Sequence, residues 1–294
     1  MKLAAPVCED VLLPAAPLYG EPLESMLDPV GALRLSILMP VRNAEATIMR
    51  AVSDVLSVGY PCSMELVVVD DGSTDGTVDR LAEIHDDRLT VFRHQGSRGK
   101  GTALLTAASL ATGSHLMVFD ADPDYSAEDI PRILRPVLAG RCQVVYGTRL
   151  SGYHAVYPSR RYARGNRLLT LVANVLFDAC LSDLHTGLRL VPRAMFGELA
   201  PREPGSGLGI EMTALLLKQG VRPFEVAVSY HGDSPSARHE ITWRDVVDCI
   251  RILLRVRFGR RAAAPAKHRR GQGSDSMLTR PRAGQPVRGV LTIR

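Results

Sequence analysis

Aromatic residues, patterned cysteines and long apolar runs are all scarce in this 294-residue chain. Phe, Tyr and Trp make up 5% of the residues, with a single Trp, while Ala, Val and Leu dominate. That composition suits helices packed on a parallel sheet better than an all-β sandwich. The five cysteines show no CxxC or metal-ligand spacing, so reduced cytosolic thiols are favoured over a disulfide framework.

No segment has the pattern of a signal peptide or a membrane span. Residues 1–31 mix acids with prolines and lack a basic start followed by an apolar core. The most apolar internal stretch, 168–181, is interrupted by Thr170, Asn174 and Asp178 and is too short to cross a bilayer. Any membrane attachment is therefore expected to be peripheral.

The net charge of +5 is concentrated at one end of the chain. Residues 260–294 carry about +8 and the remainder about −3, so the basic character belongs to the tail. We expect an N-terminal extension over 1–33, a folded body over 34–258, and a basic, disordered tail over 259–294. The tail lacks interleaved aromatics, and no nucleic-acid partner is expected.

Strand and helix patterns alternate from Leu33 to Thr148. The predicted strands are 36–39, 65–69, 89–92, 116–119 and 143–146. The predicted helices are 45–56, 76–84, 100–111 and 126–138. This alternation predicts an α/β fold with a mostly parallel, doubly wound sheet and flanking helices, in which ligands bind at the C-terminal ends of the strands.

The second half is less regular. A helix is predicted over 167–181, where apolar residues recur at helical spacing: Leu168, Leu171, Val172, Val175, Leu176 and Ala179. Its opposite line carries Arg167, Thr170, Asn174 and Asp178. A Pro/Gly-rich loop (200–208), a helix (209–219), a strand (223–229) and an amphipathic helix from Thr242 to about Phe258 are predicted to follow.

Three acidic or glycine-rich clusters, at 69–77, 96–102 and 120–124, each follow a predicted strand. They are expected to converge on one crevice at one edge of the sheet. In the last cluster, Asp120 and Asp122 would lie on the same side of the extended chain. Two such carboxylates repel each other, and a hard divalent cation such as Mg²⁺ or Mn²⁺ would resolve the repulsion. The alternative is an exposed acidic turn.

The other two clusters suggest nucleotide contacts. Asp70-Asp71-Gly72-Ser73 could form an Asx turn that caps the next helix, or a buried Asp there could bind the imino group of a base. Arg98 and Lys100, in a glycine-rich turn before a helix, could meet phosphate. There is no Walker A or GxGxxG motif, which disfavours ordinary NTPases and dehydrogenases.

In this order, the motifs resemble those of glycosyltransferase family two, whose members have the GT-A fold. The resemblance covers about Leu35 to Phe258. Within the family, the chain most resembles the branch of dolichol- and polyprenyl-phosphate sugar transferases. The matching segments are 37–43, 67–77, 98–101, 120–122, 146–149, 182–189, 210–214 and 241–245.

On the donor side, the resemblance implies a nucleotide sugar, GDP- or UDP-linked, and a Mg²⁺ or Mn²⁺ cofactor. The nucleoside pocket would be lined by Pro40, Asn43 and Asp71, with Lys100 as a further substrate contact. The metal would be held by Asp120, Asp122 and Asp124, and Asp122 would also be catalytic.

On the acceptor side, the resemblance implies a polyprenyl phosphate at an anionic membrane surface, and hence a cytoplasmic protein peripheral to the inner face of the cell membrane. Arg149 is predicted to be catalytic and, with Arg164, to meet the acceptor phosphate. Glu211 is predicted to be catalytic, and Thr186 and Arg189 to bind substrate. Relatives usually have a basic stretch where 232–240 stands, and here only Arg238 and His239 retain positive character.

The acceptor decides what chemistry the protein must supply. A phosphate monoester is already anionic at neutral pH and needs no general base. A soluble or cell-envelope hydroxyl acceptor, the alternative, would need a catalytic carboxylate such as Glu211 or Asp183. A nucleotidyltransferase is disfavoured because Pro40 to Ala46 offers no Gly-rich, basic loop, and an inactive family member because Asp120 and Asp122 are intact.

Overall fold

The computed structural model describes residues 33–121, 124–150, 155–156, 160–231 and 243–259. The strands of this part of the chain are β1 (Arg34–Val41), β2 (Ser63–Asp70), β3 (Leu89–Arg93), β4 (His115–Val118), β5 (Val145–Thr148), β6 (Ala155–Val156), β7 (Arg189–Pro192), β8 (Phe224–Ala227) and β9 (Tyr230–His231). The helices are α1 (Ile48–Ser57), α2 (Thr77–Ala82), α3 (Lys100–Leu110), α4 (Ile130–Leu138), α5 (Arg160–Phe177), α6 (Arg193–Leu199), α7 (Leu208–Lys218) and α8 (Trp243–Phe258).

Seven strands form one sheet in the order β3-β2-β1-β4-β7-β5-β8. Strand β7 runs antiparallel to β4 and β5, and every other neighbouring pair in this sheet is parallel. The short strands β6 and β9 pair separately, in parallel. The predicted fold class, a mostly parallel sheet with flanking helices, is confirmed.

Strand β1 shows why the sheet is covered on both faces. Its residues Leu35, Ile37 and Met39 pack into the same core cluster as the buried residues of α1. Leu38, which points to the other face, packs with the buried alanines of α3. A strand buried on both faces needs a continuous apolar run, and this is the pattern that β1 and β2 carry.

Elements between 34 and 148 match the predicted ones, with boundaries shifted by a few residues. Four elements of the second half, β6, β7, α6 and β9, were not predicted. Strand β7 has four residues and follows a loop, so neither its length nor its flanks mark it in the sequence. It pairs antiparallel with β4 and β5, which are distant in sequence, and local sequence patterns do not specify such pairing.

Helix α5 exists but begins earlier than predicted, at Arg160, and its buried face differs from the apolar line seen in the sequence. Leu169, Ala173 and Phe177 are buried against α7 and α8. By contrast, Leu168 and Leu171 on the apolar line are exposed. The helical spacing located the helix but not the side that packs on the protein.

No helix in the described ranges is long and apolar enough to cross a bilayer. The predicted extension up to Ala32, the stretch 232–240, Thr242 and the tail after Gly259 lie outside the described residues. The predicted domain boundaries therefore remain predictions.

Candidate functional site

The predicted clusters do meet at one edge of the sheet. The parallel register aligns Val41 with Asp70 and Asp70 with Arg93, so β1, β2 and β3 end together. Strand β4 ends beside them, and its last residue, Val118, pairs with Arg189, the first residue of the antiparallel β7. The loops after β1, β2, β3 and β4 and the segment before β7 therefore border one crevice.

Asp71 lies just past β2 and holds the loop that follows β3. One carboxylate oxygen accepts hydrogen bonds from His94 Nδ1 and the Arg98 backbone N–H, both at 2.8 Å. The other accepts from the Ser97 hydroxyl at 2.8 Å and the Gly99 backbone N–H at 2.9 Å. Burial alone would raise the pKa of Asp71, but these four donors outweigh it and hold the pKa at about 2. Asp71 is therefore ionised at neutral pH, and its role in nucleoside binding remains a prediction.

The two loops approach so closely that one position requires glycine. Gly72 has a φ of +68°, and a Cβ there would lie 2.6 Å from the carbonyl carbon of Gly96. Both the left-handed backbone and the contact exclude a side chain.

Asn43 ties the end of β1 to the same region. Its backbone N–H donates to the Ser73 hydroxyl at 2.8 Å, and its side-chain oxygen accepts from the Thr74 N–H at 2.9 Å. Pro40 is the partner of Val69 in the β1–β2 register and is half-buried. Both residues thus line the sheet edge at which a nucleoside was predicted to bind.

The Pro/Gly-rich loop 200–207 packs against the start of α3. The Thr102 N–H donates to the Pro204 carbonyl at 3.1 Å. Glu211 of α7 fixes this loop, because its Oε2 accepts hydrogen bonds from the backbone N–H groups of Arg202 and Glu203, each at 2.7 Å. The other oxygen, Oε1, lies 3.1 Å from the Arg255 guanidinium on α8. Glu211 is buried, and its contacts position the backbone of the loop and pair with a side chain of α8.

Asp120 and Lys100 form the polar centre of the edge. The Lys100 ammonium donates to Asp120 Oδ2 at 2.8 Å, joining the start of α3 to the end of β4. Asp120 Oδ1 is buried and has no hydrogen-bond partner among the described residues. Asp122 lies outside the described residues, and Asp124 is buried at the start of the next segment. Within the described ranges no group of three or more acidic, His or Cys ligands could hold a metal ion.

The segment 186–189 closes the other side of Asp120. A Cβ on Gly187 would lie 2.8 Å from the Tyr125 ring and 3.3 Å from Asp120 Oδ2. The Gly187 N–H donates to the Tyr125 hydroxyl at 2.8 Å. Thr186 is buried and accepts from the Leu188 N–H at 3.3 Å. This segment therefore places backbone, not a bulky side chain, next to the carboxylate.

Arg149, at the end of β5, forms a buried bidentate ion pair with Asp183. Arg149 Nε and Nη2 donate to the two Asp183 oxygens at 2.6 and 2.8 Å, and the guanidinium carbon lies 5.0 Å from the Tyr230 ring centroid. Asn166 of α5 also donates to Asp183, at 2.8 Å. Burial alone would raise the pKa of Asp183, but the Arg149 ion pair and the Asn166 bond lower it. The predicted contact of Arg149 with an acceptor phosphate stays a prediction.

Arg164 and Arg189 lie in different settings. Arg164 is exposed on α5. Arg189 is buried, donates to the Leu184 carbonyl at 2.9 Å, and lies over the Tyr146 ring. Its Nε has no hydrogen-bond partner among the described residues. Substrate binding by either residue remains a prediction.

A half-buried histidine next to Asp183 and a buried cysteine beside it were not assigned any role from the sequence. His185 Nδ1 lies 3.1 Å from Asn166 Oδ1, and Nε2 lies 3.6 Å from Cys249 Sγ. Burial lowers the pKa of His185 to about 4 and raises that of the Cys249 thiol to about 11. Both groups are therefore neutral at pH 7, and they form a hydrogen bond between a thiol and an imidazole without an activated thiolate.

His94, Ser97, Asn166 and Tyr125 were also missed as site residues. Each acts by holding another residue, and none sits in a spacing that marks it. The signal that could have found His94 is its place immediately after β3, at the same edge as the acids.

Comparison with known proteins identifies the family. The model of glycosyl transferase family 2 matches residues 36–199, more than half of the chain. The chain belongs to this family. The enzyme class is therefore that of a glycosyltransferase, as predicted.

Curated relatives come from bacteria and archaea. The low-salt glycan biosynthesis hexosyltransferase Agl6 of Haloferax volcanii is 29% identical over 238 residues, covering 77% of this chain and 55% of the relative. The dodecaprenyl-phosphate galacturonate synthase of Rhizobium johnstonii is 29% identical over 249 residues, covering 81% and 72%. An Escherichia coli β-1,3-glucosyltransferase, WfgD, whose name specifies UDP-Glc and a diphosphoundecaprenol-linked sugar, is 32% identical over 113 residues, covering 38% and 44%. This chain thus spans about half the length of two of these relatives.

Solved structures of glucosyl-3-phosphoglycerate synthase from Mycobacterium tuberculosis share the fold. The complex with UDP has a TM-score of 0.61 at 22% identity and covers 81% of this chain and 86% of that one. The complex with Mn²⁺, UDP-glucose and phosphoglyceric acid has a TM-score of 0.58 at 22% identity, covering 77% and 80%. At this identity the likeness shows the GT-A fold alone.

Proposed function

We propose that this family 2 glycosyltransferase moves a sugar, with inversion, from a nucleotide diphosphate to a polyprenyl phosphate at the inner face of the cell membrane. The donor would be UDP- or GDP-linked. The names of two relatives, which include a dodecaprenyl phosphate and a diphosphoundecaprenol, support a polyprenyl acceptor. The UDP-bound structural neighbours support a uridine donor.

The observation that carries the proposal is the state of Asp120. One of its oxygens faces the Lys100 ammonium, and the other is buried without a hydrogen-bond partner among the described residues. A buried, unsatisfied carboxylate oxygen fits a hard divalent cation. Asp120 would hold Mg²⁺ or Mn²⁺ together with Asp122 and Asp124, and the bound ion supplies positive charge to the departing nucleotide diphosphate.

The remaining work falls to the protein's own side chains. Asp71 fixes the turn 96–99, so that the Lys100 ammonium and the N-terminus of α3 face the crevice, where they attract phosphate oxygens. The acceptor phosphate is anionic at neutral pH and attacks the sugar carbon without losing a proton to the enzyme. Inversion follows from a single displacement, by analogy with glycoside chemistry.

The state of the two candidate general bases favours a phosphate acceptor over a hydroxyl acceptor. Asp183 is paired in a bidentate fashion with Arg149. Glu211 accepts two backbone hydrogen bonds and contacts Arg255. A carboxylate committed in this way is a poor proton acceptor. The soluble-acceptor alternative retains one argument, which is that the structural neighbours were crystallised with phosphoglyceric acid.

A thermal-shift panel of sugar nucleotides, with and without Mn²⁺, tests the donor side. The matching nucleotide should stabilise the protein by about 3 kcal/mol at a hundredfold excess over its Kd. The shift should require Mn²⁺ or Mg²⁺ and should be lost in Asp122→Asn. Equal shifts with and without metal would refute the metal assignment, and no shift with any UDP- or GDP-sugar would refute the proposed donor class.

Substitutions of Glu211 separate a positioning role from catalysis. If Glu211 only holds the loop 200–207, Glu211→Gln should keep most of kcat, because the amide oxygen can still accept the backbone N–H groups. Glu211→Ala should raise the KM for the donor by roughly tenfold, since two hydrogen bonds to a charged acceptor are lost. Steady-state kinetics with released nucleotide as the readout measures both. A fall of about 10²–10⁴ in kcat for Glu211→Gln at unchanged KM would make Glu211 the general base instead.

A further inference from the structure

Helix α5 presents an apolar stripe to solvent. The exposed fractions of Leu168, Leu171 and Val175 are 52%, 58% and 75%. These residues are spaced i, i+3 and i+7, so they lie on one side of the helix. Arg164 and Arg167 are exposed at the N-terminal end of the same side.

The face of α5 that is buried is, in part, the polar one. Asn166 and Thr170 are buried, and Thr170 accepts from the Leu184 N–H at 3.1 Å. Asn174 bonds both the N–H and the carbonyl of Leu181, each at 2.9 Å. These bonds fix the rotation of the helix, so the leucines cannot turn inward without breaking them. A helix that buries asparagine and exposes leucine implies that something else covers the leucines.

Helix α8, which packs beside α5, also exposes large apolar side chains next to arginines. It exposes Trp243 and Phe258 at 71% and 74%. Arg244 lies over the Trp243 ring and Arg257 over the Phe258 ring. Tryptophan and arginine together are typical of side chains that sit at a bilayer interface.

We infer that the exposed stripe of α5, Leu168, Leu171 and Val175 with Arg164 and Arg167, is a docking surface for an anionic lipid bilayer. The apolar side chains enter the acyl boundary and the arginines meet anionic headgroups. Charge complementarity favours this occupant over a second copy of the chain, because α5 contains arginines and no acidic residue, so a self-paired stripe would offer these arginines no opposite charge.

The stripe is also placed where a lipid acceptor would need it, an argument that rests on the proposed function. Asn166, on the buried face of the same helical turn as Arg164, donates to Asp183, which pairs with Arg149 at the edge of the sheet. A bilayer resting on α5 therefore lies on the acceptor side of the crevice.

Vesicle sedimentation of the full chain tests the inference. The probe is an equimolar mixture of phosphatidylcholine and phosphatidylglycerol, compared with phosphatidylcholine alone. Replacing Leu168, Leu171 and Val175 with Ser should lower the partition coefficient on the mixed vesicles by roughly tenfold or more. Arg167→Gln should lower binding to mixed vesicles and leave binding to neutral ones unchanged. Met49→Ser, an exposed apolar residue on α1, is the matched control and should bind as wild type.

Two further readouts keep the outcomes separate. The fluorescence of Trp243, the only tryptophan, should shift to the blue when wild type binds vesicles and not in the triple variant. Donor-induced thermal stabilisation without lipid should be the same in all variants, which shows that they fold. If donor stabilisation is absent even in wild type, the proposed function is wrong. The docking surface is still tested by vesicle binding alone. Unchanged vesicle binding by the triple variant, or a loss of dimers in ultracentrifugation without a loss of vesicle binding, would overturn the docking surface.

Discussion

Asp183→Ala is expected to lower the free energy of unfolding by about 3–5 kcal/mol, because it leaves the Arg149 guanidinium buried without its counter-charge. The exposed fractions of the two side chains are 2% for Arg149 and 0% for Asp183, so water cannot replace the lost partner. For a protein of this size the loss corresponds to a fall in Tm of about 10 °C. Scanning calorimetry of purified variants measures it.

Two controls separate the buried charge from the loss of side-chain atoms. Asp248→Ala breaks the exposed pair with Arg251, whose side chains are 64% and 74% exposed, and should cost no more than about 1 kcal/mol. Combining Arg149→Met with Asp183→Leu should cost less than the sum of the single changes, since no unpaired charge is left. An Asp183→Ala protein within about 1 kcal/mol of wild type would show that the pair is not buried as described.

The same pair predicts the pH dependence of stability. The pKa of Asp183 in the folded protein is lowered, so its contribution is fully present above the unfolded pKa of about 3.9. The contribution is lost as the pH falls through the lower, folded value. The difference in stability between wild type and Asp183→Asn should therefore be constant from about pH 7 to pH 5 and should shrink below about pH 4. A difference that shrinks already at pH 6 would assign the effect to another group.

The half of the chain up to Thr148 could be predicted because each element is specified locally. Strands β1 and β2 carry continuous apolar runs, and each is followed by turn residues and a helix pattern. The order of these strands then forces their ends, and Asp71, Lys100 and Asp120, to one edge. Little tertiary information was needed.

What could not be predicted depends on partners distant in sequence. From its local sequence Asp71 could cap a helix or bind a base, and the pattern did not show that three donors to it come from the loop 96–99 and a fourth from His94. The rotation of α5 is set by Asn166 and Thr170 bonding to 183 and 184, and not by its apolar spacing. In both cases hydrogen bonds to distant residues decide the arrangement, and the local sequence pattern does not. The reason is that leaving a buried polar group unpaired costs more free energy than exposing a leucine.

Asp120→Asn should remove metal-supported turnover almost completely, lowering kcat by about 10²–10³. The carboxylate that carries the proposed metal site would lose its charge while keeping its shape. The Mn²⁺ affinity of the donor-free protein, followed by the electron paramagnetic resonance signal of free Mn²⁺, should fall by about 10–100-fold. Turnover is measured as release of the nucleotide diphosphate. Unchanged Mn²⁺ affinity would move the metal site away from Asp120.

Lys100→Met should raise the affinity for Mn²⁺, the opposite of Asp120→Asn, and should weaken binding of the donor. The Lys100 ammonium lies 2.8 Å from Asp120 Oδ2, so it competes with any cation for that oxygen. Removing it should tighten Mn²⁺ binding several-fold, an effect moderated by solvent because the Lys100 side chain is 47% exposed. The KM for the donor should rise, since the same ammonium would move to the phosphates once a metal holds Asp120. Lys100→Arg, which keeps the charge, should not tighten Mn²⁺ binding. If Lys100→Met weakened both metal and donor, the lysine would organise the acidic site instead of competing for it.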